Sequence, residues 1–355
     1  MEKTKLLILR LTDRCNLACR YCYATYGGIC KADMPFETAK AAIALFAQPG
    51  GKLKIQFTGG EPLLCAGLMQ QIFQHVKSEG IQTAFSIQTN GTLLTRETCA
   101  LLREMRCAVG VSLDGIGEAN ALRVYPDGSP SLDDALAGVR ALADAGMRCN
   151  LNAVVSRANQ GFLGGLIRLA ALLGNVHGVG LDMFRPIGRG ENAGLAPDVE
   201  TFPDDLLRML EWRKELAALG ADIRIKELEK VRAMLQAGVQ ENFYCYAQTG
   251  FSAAVDPRGN IYPCASFVGM PDMRIGSIAE GFRSMPQIPG MDETCDACAD
   301  AAICRGGCPA GRAACGGRSE TDCMMHRTII EYGRKEYAET FMPVSYTHLR
   351  AHETR

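Results

Sequence analysis

The sequence predicts an α/β protein: a partial (β/α)6 barrel followed by a small cysteine-rich domain. Two observations predict the barrel. Between about residues 6 and 185, six short β-rich runs alternate with amphipathic helical stretches. The runs look apolar on both faces, as parallel strands covered by helices are. Repeated β/α units of this kind build a partial or full barrel, with a flat doubly wound sheet as the alternative. A third observation predicts the second domain. From Cys245 onward cysteine, glycine and proline rise and apolar periodicity falls. Such a segment builds little hydrophobic core and needs metal staples to fold.

The expected strands are LLILRL (6–11), KLKIQFT (52–58), AFSIQT (84–89), AVGVSL (108–113), RCNLNAVV (148–155) and GVGLDMF (178–184). Helical patterns lie between them at 35–47, 66–78, 96–103, 132–145 and 162–173. Further helices are expected at 203–219, 226–237 and 324–340. The domains that follow are a barrel over 1–190, a helical linker region over 191–244, the cysteine-rich domain over 245–325 and a C-terminal helix over 326–342. The stretch 343–355 (PVSYTHLRAHETR) reads as a translated sequencing-adapter artefact and is excluded from the fold, which would leave the natural C-terminus missing; an ordinary polar tail is the alternative.

Composition excludes several classes. The chain has 355 residues, 47% of them hydrophobic, and a net charge of −1. No basic face argues for nucleic acid, and no apolar run approaches the ~20 residues of a membrane span. The N-terminal apolar run leads straight into a cysteine motif without a cleavage site, so it reads as a strand and not a signal peptide. The 16 cysteines cluster at ligand spacings. With no export signal, a reducing cytoplasm is the expected location.

Cys15, Cys19 and Cys22 stand in CNLACRYC, directly after the first expected strand. Barrel chemistry sits at the C-terminal ends of strands. Three thiolates are one fewer than closes a structural zinc site or a [4Fe–4S] cluster, so one iron is left open to a small molecule. Tyr21 adjoins the last thiol, and the second strand ends in Gly59, Gly60, Glu61 and Pro62. Adjacent glycines let backbone approach a ligand, and Glu61 could accept hydrogen bonds from a ligand amine. The third and fourth strands end in polar runs containing Asn90, and Ser112 with Asp114. All these ends turn polar on one side, as a ligand site at a barrel mouth requires.

On these residues the chain resembles the radical S-adenosylmethionine (radical SAM) enzymes. The resemblance rests on C-x3-C-x-aromatic-C at Cys15, Cys19, Tyr21 and Cys22, and on GGEP at Gly59 to Pro62, and covers about residues 5–190. It implies a [4Fe–4S] cluster that chelates S-adenosylmethionine, cleaves it to methionine and a 5′-deoxyadenosyl radical, and so abstracts a substrate hydrogen. It further implies that the GGEP backbone and Glu61 hold the methionine amino group. Asn90, Ser112 and Arg123 are its candidates for ribose or carboxylate contacts; serine and asparagine at strand ends also simply cap turns.

The later cysteines resemble the SPASM pattern over about 245–325. The match includes Gly259, five residues before Cys264. The resemblance implies two auxiliary [4Fe–4S] clusters, hence three in all. Cys295, Cys298, Cys304 and Cys323 would ligate the outer one, and Cys245, Cys264 and Cys308 the inner one. No cysteine stands between Tyr246 and Pro263, so Cys315 fills the fourth place or the inner cluster keeps an open iron. Zinc sites are the alternative that spacing leaves in place. Cys99, Cys107 and Cys149 sit in helix or strand patterns and read as small buried hydrophobes. Cys65 follows GGEPLL near the expected mouth and Cys30 lies in a glycine-rich loop after the first cysteine motif; each is a candidate for a catalytic role beside a purely structural one. The histidines fit no metal-pair spacing.

Enzymes of this combined type mostly modify peptides or proteins. The expected function is maturation of a ribosomally made peptide, with a thioether crosslink as the favoured bond over a carbon–carbon crosslink or epimerisation. Anaerobic sulfatase-maturating enzymes are the alternative, but they carry an Asp after the cysteine matching Cys264, where this chain has Ala265. A methyl group accepts no proton. A non-catalytic iron–sulfur electron-transfer protein is the alternative of another class. Expected partners are the peptide or protein substrate and a reductase, flavodoxin or ferredoxin donor. The chain starts at its first strand, so leader recognition is expected at the barrel mouth, in the linker region, or on a separate leader-peptide-binding protein.

Overall fold

The computed structural model describes residues 5–25, 31–47, 51–238, 243–283, 285–286 and 291–341. Cys30 and the 343–355 segment lie outside the described residues. Strands β1 (Lys5–Arg10), β2 (Leu53–Thr58), β3 (Thr83–Thr89), β4 (Ala108–Ser112), β5 (Cys149–Val155) and β6 (Val176–Met183) neighbour one another in chain order, all parallel. Helices α1 (Phe36–Phe46), α2 (Ala66–Ser78), α3 (Arg96–Glu104), α4 (Leu132–Asp144) and α5 (Leu163–Leu173) occupy the crossovers between them. Helix α6 (Phe202–Ala218) follows, then the short β7 (Arg224–Ile225) beside β6, then α7 (Lys226–Ala237).

Local chemistry explains the boundaries. Thr95 and Thr98 exchange side-chain and backbone hydrogen bonds in a capping box that opens α3. Gly174 closes α5 in the left-handed region at φ 72°. The helix-facing side of the sheet carries Leu7, Leu9, Ile55, Phe57, Val111 and Leu151, all fully buried. Phe57 stacks on Phe85 at 5.7 Å.

The other side departs from the expectation of two apolar faces. Gln88 Nε2 donates to Ser112 Oγ at 2.8 Å, and Asn152 Nδ2 donates to Gln88 Oε1 at 2.7 Å. A polar ladder therefore runs across β3, β4 and β5 on that face. A Cβ on Gly110 would stand 2.5 Å from Gln88 Oε1 and one on Gly180 2.6 Å from Asn152 Oδ1, so glycine makes room for the ladder. Residues of β1 through β6 on this face line one cavity. A sheet whose strands all border the same space is curled around it, which is the partial barrel the sequence predicts.

The cysteine-rich region joins the same sheet. Strand β8 (Ser252–Val255) pairs parallel with β1, and β9 (Asn260–Tyr262), β10 (Gly276–Ser277) and β11 (Gly281–Phe282) continue outward, antiparallel. Four helices follow: α8 (Glu293–Asp296), α9 (Ala301–Cys304), α10 (Pro309–Cys315) and α11 (Glu320–Phe341). Helix α11 packs back on α6 and α7, where Arg232 Nη2 meets Glu336 Oε2 at 2.7 Å. The region was expected to build little core. It contributes instead Ala254, Tyr262, Phe267 and Val268 to a second apolar cluster around Ile8 of β1. No helix among the described residues is long and apolar enough to cross a membrane.

Candidate functional site

The cavity inside the curled sheet has a volume of about 480 Å³. This lies within the range of small-molecule sites. Cys15, Cys19 and Cys22 form part of its wall, and so do Cys245, Cys264 and Cys308. Two cysteine triads some 230 residues apart in the chain thus open onto one space.

The first triad is held by the end of β2. Gly60 N donates to Thr12 O at 2.8 Å, and Glu61 N donates to Arg14 O at 2.9 Å. A Cβ on Gly60 would stand 2.2 Å from Arg14 O, and one on Gly59 2.5 Å from Thr12 O. The glycine pair therefore lets the β2 end dock against the backbone that carries the cysteines. Both glycines also border the cavity. Leu17 N donates to Cys15 Sγ at 3.4 Å, and Asn90 Nδ2 reaches the same sulfur at 3.8 Å. Asn90 Nδ2 also donates to Asn16 Oδ1 at 2.9 Å. Arg189 closes the far side: its Nε donates to Cys19 O at 2.9 Å and its backbone N–H to Cys22 O at 3.1 Å.

Glu61 is not where the sequence reading put it. Its carboxylate is 0% exposed and is absent from the cavity wall, as is Pro62. Oε1 accepts from Leu63 N at 3.1 Å and Thr89 Oγ1 at 2.7 Å, and Oε2 accepts from Asn90 N at 2.7 Å. Glu61 ties the end of β3 to the end of β2 from behind. Burial pushes its pKa from 4.5 up to about 7, against those three donors. The folded carboxyl thus holds its proton more tightly than the unfolded one. Its contribution to stability is full below about pH 4.5 and is lost as pH rises through about 7. Relative to a Glu61→Gln variant, the metal-free protein is expected to lose about 3 kcal/mol across that window. Denaturant titrations of both proteins at pH 4.5 and pH 8 check this; a pH-independent difference contradicts it.

Beyond the triad a buried ion pair forms the wall. Arg123 Nη2 meets Asp114 Oδ1 at 2.9 Å, and the Tyr21 hydroxyl donates to the other Asp114 oxygen. Val154 N also donates to Asp114 Oδ1 at 2.9 Å, which ties β5 to the network. The Arg123 guanidinium lies 5.5 Å from the Tyr21 ring centroid. It is 6% exposed and borders the cavity, and its Nε finds no hydrogen-bond partner among the described residues. A buried cation with an unused donor beside a polar cavity suits an anionic or oxygen-rich ligand. Ser112 lies on the same wall, its hydroxyl engaged by Gln88.

The second triad borders the same cavity. Arg185 stands beside it: Nη2 meets Asp182 at 2.7 Å and Cys308 Sγ at 3.7 Å, and Nη1 donates to Ser266 Oγ at 3.3 Å. Its guanidinium lies over Tyr23 at 5.2 Å. Ala265, beside Ser266, is also on the wall. Cys315 ends α10 and does not border the cavity. The remaining set, Cys295, Cys298, Cys304 and Cys323, gathers away from the cavity. Burial raises the Cys304 pKa to about 11, and the charges of Cys323, Cys295 and Cys298 add to it.

The donor set fits iron–sulfur clusters. Burial raises the pKa of Cys15 to about 11 and of Cys264 to about 12. Such thiols stay neutral without metal and release protons when they bind it. Cys65 lies off the cavity, its Sγ 4.0 Å from Leu11 O. Cys99, Cys107 and Cys149 are buried core, as expected. Sequence reasoning missed Arg185, Arg189 and Asp322, which border the cavity as isolated charged residues outside any motif.

Comparison with known proteins agrees with this geometry. Residues 9–158 match the model of the Radical SAM superfamily. An uncharacterized protein of Methanocaldococcus jannaschii is 33% identical over 273 residues, covering 76% of this chain and 88% of that protein. The serine-type anaerobic sulfatase-maturating enzyme of Klebsiella aerogenes is 28% identical over 334 residues, covering 86% of this chain and 79% of the enzyme. Among solved structures, native anSMEcpe with bound AdoMet superposes with a TM-score of 0.79 at 18% identity, over 96% of this chain and all of that one. Streptococcus suis SuiB bound to precursor peptide SuiA gives 0.64 at 15% identity, over 90% of this chain and 76% of SuiB. At those identities the two superpositions speak to the fold alone. A cysteine loop docked on a glycine pair at the mouth of a curled parallel sheet, with a relative matched over 88% of its length and a matching domain, leads to one conclusion: the chain belongs to the Radical SAM superfamily of enzymes.

Proposed function

We propose that this enzyme is a peptide or protein maturase that abstracts hydrogen from a ribosomally made peptide, with thioether formation as the favoured outcome. The observation that carries the reading is the single cavity bordered by both Cys15, Cys19, Cys22 and Cys245, Cys264, Cys308. In this reading the first triad holds a [4Fe–4S] cluster and S-adenosylmethionine, the second an inner auxiliary cluster, and Cys295, Cys298, Cys304 and Cys323 an outer one. When bound, the cluster and S-adenosylmethionine supply abstraction of hydrogen from an unactivated C–H bond.

The chain's own residues bind, orient and exclude water. Gly59 and Gly60 set the cysteine loop against β2, and Arg189 fixes its carbonyls from the opposite side. Glu61 acts from behind the wall, by tying the β3 end to the β2 end. Arg123, preorganised by Asp114 and Tyr21, offers its donors to the carboxylate or ribose of the cosubstrate, with Asn90 and Ser112 beside it. A peptide cysteine in the cavity would lie beside the second triad, which supports the thioether outcome.

The sulfatase-maturase relative favours a second reading, formation of an aldehyde from Cys or Ser. Ala265 lacks the carboxylate that the resemblance requires there, which weighs against it. One experiment separates the readings. Anaerobically reconstituted enzyme, reductant and S-adenosylmethionine are expected to release 5′-deoxyadenosine. With a Cys-containing peptide, the thioether reading expects loss of two hydrogens and resistance to thiol alkylation. An aldehyde mass on a sulfatase Cys or Ser peptide instead supports the second reading. Absence of the nucleoside under every condition sinks both and leaves an electron carrier.

A further inference from the structure

The inner triad supplies three thiols, and an iron–sulfur cluster takes four ligands. Cys315 does not border the cavity. Three carboxylates do: Asp182, Glu227 and Asp322. Asp182 is engaged by Arg185 at 2.7 Å, and its side chain is half exposed. Glu227 Oε2 accepts from Leu181 N at 3.1 Å, which turns it to the β6 backbone. The Asp322 carboxylate takes a hydrogen bond from the Ser319 side chain and lies in the field of Arg185 and Arg312. It is 7% exposed and leans over Gly311, one turn beyond Cys308. A Cβ on Gly311 would stand 2.5 Å from Asp322 Oδ2 and 3.6 Å from Cys308 Cβ. The Asp322 carboxylate oxygen and Cys308 Cβ therefore both border the space in front of Gly311. Arg185, which reaches Cys308 Sγ at 3.7 Å, also interacts with the Asp322 charge. The Tyr244 hydroxyl lies close enough to both Cys308 and Asp322 to feel their charges.

We infer that Asp322 is the fourth ligand of the inner iron–sulfur cluster, through a carboxylate oxygen. The inference rests on the reading that Cys245, Cys264 and Cys308 hold such a cluster. Consecutive residues on a helix point about 100° apart. Asp322 and Cys323, in the first turn of α11, thus serve two different metal centres from one rigid element. Carboxylate is a harder donor than thiolate and the poorer match for a cluster iron. A substrate thiolate entering the cavity can take its place, and the carboxylate keeps the iron occupied until then.

The test is magnetic and does not depend on turnover. The full chain carrying Cys15→Ala, Cys19→Ala and Cys22→Ala is labelled with [13C]aspartate, reconstituted and reduced. Electron–nuclear double resonance is expected to show a 13C coupling at an auxiliary cluster. Asp322→Cys is expected to abolish the coupling while the iron content stays the same, and Asp322→Asn to abolish it as well. Absence of coupling in the labelled parent overturns the assignment, and so does coupling that survives in Asp322→Cys. Iron content after Cys264→Ala tests the underlying reading separately. A loss of about four irons per chain means that the inner cluster exists, whichever group closes it. No loss removes the inner cluster, and the ligand assignment with it.

Discussion

Cys19→Ala protein, purified and reconstituted without oxygen, is expected to release no 5′-deoxyadenosine above background. The fall should be at least about three orders of magnitude, because two thiolates do not retain a cluster that needs three protein ligands and an open iron. Stability should barely change. The backbone carbonyl of Cys19, not its sulfur, is what Arg189 holds at 2.9 Å, and that bond survives the substitution. Cys19 is also only partly buried, so the truncated side chain leaves little cavity. The expected signature is therefore loss of nucleoside formation with the metal-free denaturation midpoint unmoved. Liquid chromatography of the nucleoside and a denaturant melt give both numbers. Product formation at the parental rate would contradict the role assigned to the N-terminal triad.

Gly60→Ala is expected to damage the same site by another route. The added methyl would stand 2.2 Å from Arg14 O, 2.5 Å from Arg14 C and 2.9 Å from Cys15 Cβ. The two closest neighbours are backbone atoms, so no rotamer change relieves the clash. The Thr12–Cys15 segment must lift from β2 and surrender the bonds from Gly60 N and Glu61 N. A cost of roughly 3–5 kcal/mol follows from overpacking plus two lost buried hydrogen bonds. Iron bound at the N-terminal triad should fall with it. Gly67→Ala is the internal control. Nothing lies within 4 Å of its added Cβ, at the start of α2, so its effect should be neutral or slightly stabilising. Equal effects of the two alanines would show that docking against β2 does not govern the cysteine loop.

Much of the fold was legible because long elements carry strong periodic signals. The strand expected at 84–89 is Thr83–Thr89, and the helix at 66–78 is Ala66–Ser78. Strand β7, at Arg224–Ile225, and the strands β8 to β11 escaped notice. They are two to four residues long, too short for alternation to show. The polar ladder of Gln88, Ser112 and Asn152 was misread for a different reason. Parallel strands are usually apolar on both sides, and here one side borders a cavity lined in part by polar groups.

The site was legible where chemistry is dense along the chain. Cysteine spacing marked both triads, and the glycine pair marked the β2 end. Roles were harder to read than positions. Glu61 has the acceptors for a ligand amine, but the chain around it supplies three donors first. Arg185, Arg189 and Asp322 carry no motif. They gain meaning only when β6, the loop after it and the first turn of α11 meet across the cavity.

The pairing of β1 with β8 has a consequence for engineering. Register runs from Leu6 opposite Ser252 to Leu9 opposite Val255, so the first strand is clamped by chain on both flanks. Truncation before residue 245 would strip one flank and leave an exposed row of donors and acceptors on an apolar ribbon, an invitation to aggregate. A chimaera that grafts a foreign cysteine-rich half must reproduce this seam residue for residue. A slip of one position would turn Ala253 from the helix-facing side toward Ile8 and the cavity, and Ala254 the other way. The two halves are stitched rather than hinged, and they should be exchanged only as a matched pair.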